Sequence, residues 1–180
     1  MAWTAPRTWT DGELVTKAIM DPHVRDNFLA VGPHLIIRKP SDESVTSSIA
    51  LQNDDHLLLA VGTSEVWLTQ WNLLVTSTSG TPDIRVAFTF PTGGSAALTL
   101  GTVLNGGGTL TYTAWNSTTS PTSTESIALS ASVLNHFMIT GVFVNGGTGG
   151  NLQLQWAQQT SDAAATTMKA NSTLFAVKLA

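Results

Sequence analysis

The feature that most constrains the fold is a period-two alternation of apolar residues with uncharged polar residues. The stretch NLQLQW near the C-terminus places Leu152, Leu154 and Trp156 on one face. Its opposite face carries Gln153 and Gln155. Because successive side chains of a β-strand point to opposite faces, this pattern predicts a strand with one buried face. The other face is polar, yet it lacks the Lys, Glu or Arg that an exposed strand ordinarily carries.

The same alternation recurs in short segments throughout the chain after residue 33. It is clearest in residues 65–77 and 83–90, and Gly-rich or Pro-rich turns such as 91–94 separate the segments. Many short strands without helices between them predict an antiparallel sandwich, and their number is close to the eight strands of a jelly roll. The other predicted strands are 34–38, 48–52, 56–61, 97–104, 109–115, 125–131, 136–144, 151–158 and 173–179. The aromatic residues predicted for the core are Trp67, Phe88, Phe90, Trp156 and Phe175.

The first 33 residues follow a different pattern. The run Thr10-Asp11-Gly12-Glu13 matches a capping box and predicts a helix start, and Asp21-Pro22 predicts a break before a second helical segment. We therefore predict a mainly β protein with two parts, an N-terminal arm and helical anchor (1–33) and a jelly-roll oligomerisation domain (34–180). Tryptophans on an exposed arm favour docking, either onto another protein or onto the chain's own domain. The residues predicted to anchor the chain are Trp3, Trp9, Leu14, Val24 and Phe28.

Charge is scarce and unevenly distributed. Charged residues make up 11% of the chain, against about 25% in an average soluble protein. Sixteen of the twenty charges lie at or before Arg85, and Thr, Ser, Asn, Gln and Gly replace them afterwards. Because burying an unpaired charge is costly, this pattern favours a sheet face that meets another protein surface in a homo-oligomer. The alternative is a drift in composition toward Thr-rich exposed sheets. The residues predicted for an intersubunit or outer face are Gln153, Gln155 and Gln158.

No motif indicates catalysis or a cofactor. The net charge of -4 argues against a nucleic-acid partner, no segment has the length of a membrane span, and the chain has no cysteine. The run Asn53-Asp54-Asp55-His56 could bind a divalent cation, but a turn before a strand explains it equally well. No G-x-S-x-G elbow and no phosphate-binding loop is present. We therefore predict no enzyme and assign no catalytic, cofactor or metal residue.

Two regions resemble a known class of proteins. The opening APRTWTDGELVTKAIMDPHVRDNFLAVGPHL resembles the start of small virion proteins of tailed bacteriophages. The closing NLQLQWAQQTSDAAATTMKANSTLFAVKL resembles the last strands of trimeric TNF/C1q-like jelly rolls in phage head-decoration, head-fibre and tail-fibre proteins. Together these regions cover about a third of the chain. Unlike a fibre protein, residues 32–48 contain no collagen-like repeat and no heptad shaft, which favours a compact appendage.

The resemblance implies a homotrimer fixed to the virion by its N-terminal segment. Its expected location is the virion, after assembly in the host cytoplasm, and its expected partners are the major capsid protein or other virion proteins. The first functional hypothesis is a capsid decoration or minor head protein. The alternative is a tail-tip or tail-fibre protein that contacts a host surface glycan through loops 91–96, 105–108 and 116–124. For that alternative Tyr112 and Trp115 are the candidate stacking residues, with core packing as their competing interpretation.

Overall fold

Strands dominate the chain, as the alternation predicts. A computed structural model describes residues 4–5, 7–27, 34–102 and 111–180. The chain divides into two compact units, Met1–His34 and Leu35–Ala180. The first unit contains the short helix and the second contains an antiparallel β-sandwich.

The helical segment of the first unit begins later than the capping box predicts. Helix α1 spans Lys17–Met20 and continues directly into a π-helical turn at Asp21–Arg25. Gly12 has a φ of 78°, and the Glu13 N–H bonds to the Thr10 carbonyl, so the capping-box residues form a turn outside the helix. The helix changes type at the predicted interruption, since α1 ends at Met20 and the π-helical turn begins at Asp21, but the chain keeps helical geometry between them. Pro22 has no N–H, so one helical hydrogen bond is absent at this point.

The described part of the chain contains twelve strands. They are β1 His34–Arg38, β2 Glu43–Val45, β3 Gln52–Val61, β4 Val66–Ser77, β5 Ile84–Thr89, β6 Ser95–Thr102, β7 Thr111–Ser117, β8 Glu125–Ile127, β9 Asn135–Val144, β10 Gly150–Ala157, β11 Thr166–Met168 and β12 Thr173–Lys178. The first residue of β1, His34, belongs to the first unit, and all other strand residues belong to the second.

The strands pair in a nested order. Sheet A runs β1-β12-β4-β9-β6-β7, with β11 joining β2 to β4, and sheet B runs β3-β10-β5-β8. Eight strands remain if β2, β11 and the β6–β7 hairpin are set aside. They form four nested pairs, which are β1 with β12, β3 with β10, β4 with β9 and β5 with β8. This nesting is the connectivity of a jelly roll, and the β6–β7 hairpin widens sheet A.

Aromatic side chains from both sheets fill the core. The Phe88 ring of sheet B lies 4.8 Å from the Trp71 ring and 5.3 Å from the Trp115 ring, both on sheet A. Phe90 contacts Phe143 in the same way, with 5.4 Å between ring centroids. Four of the five predicted core aromatics are buried, which confirms those predictions: Trp67, Phe88, Phe90 and Trp156.

The prediction that Phe175 lies in the core is wrong. It is half-buried on the outer side of β12, and its neighbours Leu174 and Ala176 occupy the core instead. The predicted strand 48–52 is also wrong, because the Ser48 hydroxyl accepts the Ala50 N–H and so forms a turn where a strand would continue. Strands β2 and β11, three residues each, were not predicted from the sequence.

Candidate association surfaces

The N-terminal unit is held together by polar contacts. The Asn27 side-chain oxygen accepts the Thr4 N–H at 2.8 Å, and its amide nitrogen donates to the Thr4 carbonyl at 2.9 Å. The Asn27 side chain thereby bonds to both backbone groups of Thr4, as the backbone of a neighbouring strand would. Arg7 forms an ion pair with Glu13, and its guanidinium lies 5.1 Å from the centre of the Trp9 ring. These contacts fold the arm back on the helical segment.

Apolar side chains of this unit remain open to solvent. Leu14 is 79% exposed, Val15 52%, Trp9 47% and Val24 43%. Three residues predicted for anchoring, Trp9, Leu14 and Val24, are therefore accessible to a partner. The other two, Trp3 and Phe28, lie outside the described residues.

The outer face of sheet B carries the two predicted glutamines of β10. The Gln153 side chain donates to the Asp54 carbonyl at 3.1 Å, and the Gln155 side chain donates to the Asn53 side-chain oxygen at 2.8 Å. Both are half-buried, and both tie β10 to β3. Exposed Asp55 on β3 and half-buried Arg85 on β5 add charge to this sheet.

The assignment of Gln158 to an outer face is wrong. Gln158 follows the end of β10, is fully buried, and donates to the Ala164 carbonyl at 2.8 Å. Its side-chain oxygen accepts the N–H groups of Ser48 and Asp162. Gln158 therefore organises the loops around it, because all of its hydrogen-bonding groups have partners inside the chain.

One of the two candidate stacking residues is buried in the core. Trp115 lies within β7, is 2% exposed and packs against Phe88, so its assignment to a glycan-binding loop is wrong. The competing interpretation, core packing, is correct for Trp115. Tyr112 also lies within β7, where its backbone is opposite Gly101 of β6. The proposed contact loop 105–108 lies outside the described residues.

The outer face of sheet A has a different chemistry. In three neighbouring rows, Val177 of β12 lies beside Leu68 of β4 and Val142 of β9, and the Phe175 row and the Thr173 row run parallel to it. We call the part of this surface on β12, β4, β9, β6 and β7 the uncharged face, because its described side chains include no Lys, Arg, Asp or Glu. Its residues are Leu68, Gln70, Asn72 and Leu74 on β4, His136, Met138, Thr140, Val142 and Val144 on β9, Thr173, Phe175 and Val177 on β12, Ala97 and Thr99 on β6, and Ala114 and Asn116 on β7. Exposed Arg38 of the edge strand β1 lies outside this face.

A buried ion network lies at one edge of the sandwich. The Lys39 ammonium, which is fully buried, bonds to Asp54 at 2.9 Å and to Glu43. Burial alone would lower the pKa of Lys39, but the hydrogen bonds to Glu43 and Asp54 outweigh it and raise that pKa above its ordinary value. The second Asp54 oxygen accepts the N–H groups of His56 and Leu57. Asp54 is thus used inside the chain, and the run Asn53–His56 lies in β3 rather than in a turn.

A second ion pair, near the surface, lies beside the turn that follows β3. The Glu65 carboxylate accepts hydrogen bonds from Lys178 at 2.6 Å, from the Gly62 N–H at 2.7 Å and from the Trp67 indole at 3.0 Å. The bond from Lys178 is the main reason why the pKa of Glu65 lies below its ordinary value, although burial acts in the opposite direction. These bonds fix the β3–β4 turn to the last strand.

Among the described residues there is neither a metal-binding cluster nor a membrane-spanning helix. No group of three or more His, Asp or Glu side chains is arranged to hold a metal ion in the described ranges. Within the same ranges, no helix combines the length and the apolar character needed to cross a membrane.

Comparisons with known proteins identify no family. No protein-family model matches the chain, and no curated protein does. Among solved structures, the "Structure of infectious bursal disease virus Gt strain" matches with a TM-score of 0.20 and 8% identity. The match covers 82% of this chain and 41% of that chain, so this chain spans about two fifths of its length. A TM-score of 0.20 carries no argument about fold or function.

Proposed function

We propose that this chain is a structural protein of a tailed-phage virion, a homotrimeric capsid decoration or minor head protein. Its N-terminal unit binds the major capsid protein or another virion protein, and its jelly roll is displayed outside. The role is one of assembly rather than catalysis.

The exposed apolar side chains of the N-terminal unit carry this proposal. Leu14, Val15 and Val24 are open to solvent, and the contacts that the described residues of this unit make with one another include polar pairs such as Asn27–Thr4 and Arg7–Glu13. Exposed apolar side chains on a short segment favour a partner that covers them, because the burial of apolar surface is the main favourable term in protein association. The jelly roll is compatible with this role, since the fold recurs in viral capsid domains, although fold alone does not establish function.

The receptor-binding alternative rests on the same fold, because jelly rolls also occur in lectin domains. It would place a tail-tip or tail-fibre protein against a host surface glycan. Since Trp115 is buried, such a site would have to use exposed residues of loops 91–96 and 116–124.

The first test measures incorporation into particles. The double variant Leu14→Asp, Val24→Asp in the full chain should reduce the copies per purified virion at least about tenfold, because charge replaces the apolar contact surface. Quantitative mass spectrometry of purified particles gives the copy number, and circular dichroism checks the fold. Ile49→Asp is the matched control, since Ile49 is a comparably exposed apolar residue outside this unit. Normal incorporation of the double variant would refute the anchor.

Gold labelling of intact particles with an antibody against residues 34–180 separates the two functions. Label spread over the head supports decoration. Label confined to the tail tip supports receptor binding, and particles without label would refute a virion role.

A further inference from the structure

We propose that copies of this chain associate through the uncharged face of sheet A and not through the glutamine face of sheet B. This inference rests on the self-association that forms part of the proposed function. The occupant of the uncharged face is therefore a second copy of this chain.

The charge distribution distinguishes the two sheets. On the uncharged face, Leu68 is 40% exposed and Val144 is 43% exposed, and the described side chains between them are apolar or neutral. The ion pairs of the β-sandwich involve Lys39, Lys169 and Lys178, none of which belongs to this face. In a trimer each copy meets its two neighbours through different parts of this face, and an uncharged surface can do so without like-charge repulsion. Sheet B has Asp55 and Arg85 on its strands, whereas the exposed charged residue Arg38 of sheet A lies on the edge strand β1, outside the five strands of the uncharged face.

Three polar side chains of the uncharged face donate hydrogen bonds within the chain. The Gln70 side chain donates to Asn72 at 3.2 Å, and the Asn72 side chain donates to the Thr173 hydroxyl at 3.3 Å. The Thr140 hydroxyl donates to the Thr69 carbonyl at 3.3 Å. Covering these groups with another protein therefore leaves their hydrogen bonds intact and avoids much of the usual cost of burying polar atoms.

The size of the face is also adequate. Five adjacent strands, β12, β4, β9, β6 and β7, form it. At a strand spacing of about 4.8 Å and a rise of about 3.4 Å per residue, it measures about 24 Å by about 27 Å, or roughly 650 Å² before surface relief is counted. That value approaches the area of about 800 Å² that each partner contributes to a standard stable interface. The face is thus large enough to hold copies together.

Matched leucine variants of the full chain test this assignment. Leu68 lies on the uncharged face, and Leu58 lies on the outer side of sheet B beside Gln153. Leu68→Glu should raise the dissociation constant for self-association at least about 100-fold, because it places a charge in the contact. Leu58→Glu should change it by less than about threefold. Sedimentation equilibrium gives both constants, and circular dichroism confirms that each variant is folded.

The outcomes separate the two proposals. If the wild-type chain is monomeric at every concentration, self-association itself fails, and this inference fails with it. If the wild type associates but only Leu58→Glu dissociates, self-association stands and the assignment to sheet A is wrong. The same conclusion follows if neither variant weakens association.

A second measurement applies even if Leu68→Glu does not fold. The chain has no cysteine, so Ala97→Cys on the uncharged face and Ala60→Cys on sheet B each give a single exposed thiol. The Ala97→Cys thiol should react with a small alkylating reagent at least about tenfold more slowly in the oligomer than after dilution, whereas the Ala60→Cys thiol should be unaffected. Equal rates at Ala97→Cys would overturn the inference. A thiol at position 97 that reacts slowly at every protein concentration would also overturn the inference, because the face would then be covered within a single chain.

Discussion

At the scale of single residues, the Lys39 side chain links the two sheets of the β-sandwich. Its fully buried ammonium contacts Glu43 of β2, in sheet A, and Asp54 of β3, in sheet B. The Gln52 side chain also donates to Glu43, at 2.6 Å. Because a buried charge is tolerated only when it is paired, the network fixes the chain segment after β1 against the start of β3.

We predict that Lys39→Met destabilises the protein by about 3–5 kcal/mol, because it leaves two carboxylates without their cation. Lys169→Met is the control, since Lys169 pairs with Asp42 at the surface, and it should cost about 0–1 kcal/mol. Urea unfolding at pH 7 measures both. Equal losses would show that the Lys39 network contributes no more than a surface pair.

The same network has a pH dependence of defined sign. Because the pKa of Lys39 is raised on folding, its contribution is fully present below the ordinary lysine value of about 10.4 and is lost as the pH rises through the raised value. The stability difference between the wild type and Lys39→Met should therefore narrow only in strong alkali.

At the scale of elements, β9 depends on a glycine. β9 lies between β4 and β6, and Gly141 is opposite Thr69 on one side and Leu98 on the other. A Cβ at Gly141 would lie 2.0 Å from the Ala97 carbonyl oxygen, which belongs to the rigid backbone of β6. No side chain other than hydrogen fits there, so β6 can approach β9 only because residue 141 is glycine.

Gly141→Ala should therefore destabilise the protein by about 2–3 kcal/mol or more, because it forces β6 away from β9. Gly147→Ala is the control, since a Cβ there would contact nothing within 4 Å, and its effect should stay within about 0.5 kcal/mol. The midpoints of urea unfolding compare the two variants. Equal midpoints would contradict the close approach of the two strands.

At the scale of the whole molecule, the hydrophobic core and the exposed apolar side chains of the N-terminal segment belong to different units. The hydrophobic core is formed by residues of the second unit, from Ile37 to Ala176. The first unit has an exposed apolar surface and polar internal contacts. A change in the first unit should therefore have little effect on the folding of the second unit.

We predict that removing residues 1–31 leaves one cooperative thermal transition with a midpoint within a few degrees of that of the full chain, about the shift expected from 1 kcal/mol or less. Trp156→Ala in the full chain is the contrasting variant, because loss of a fully buried tryptophan should cost about 3–5 kcal/mol. Differential scanning calorimetry measures both. A truncated chain that fails to fold would show that the first unit is part of the folding core.

The success of sequence reasoning depended on how clearly apolar and polar residues alternate. In β5 and β10 the large apolar residues recur at every second position, so the inward residues Phe88 and Trp156 are predictable from the sequence. In β12 four apolar residues, Leu174 to Val177, follow one another, so the period is ambiguous and Phe175 was placed on the wrong face. Strands β2 and β11 have three residues each, which is too short to show a period.

The sequence by itself determined that the chain is mainly β, that its strands have one apolar side, and that charge is scarce in its second half. These properties are local, because backbone geometry alone gives a strand its period of two. Only the tertiary structure decided which strands pair, that Lys39 meets Asp54, that Gln158 is buried, and that five neighbouring strands of sheet A share an uncharged face. These properties arise from the burial of residues distant in sequence, and alternation cannot encode which distant strands become neighbours.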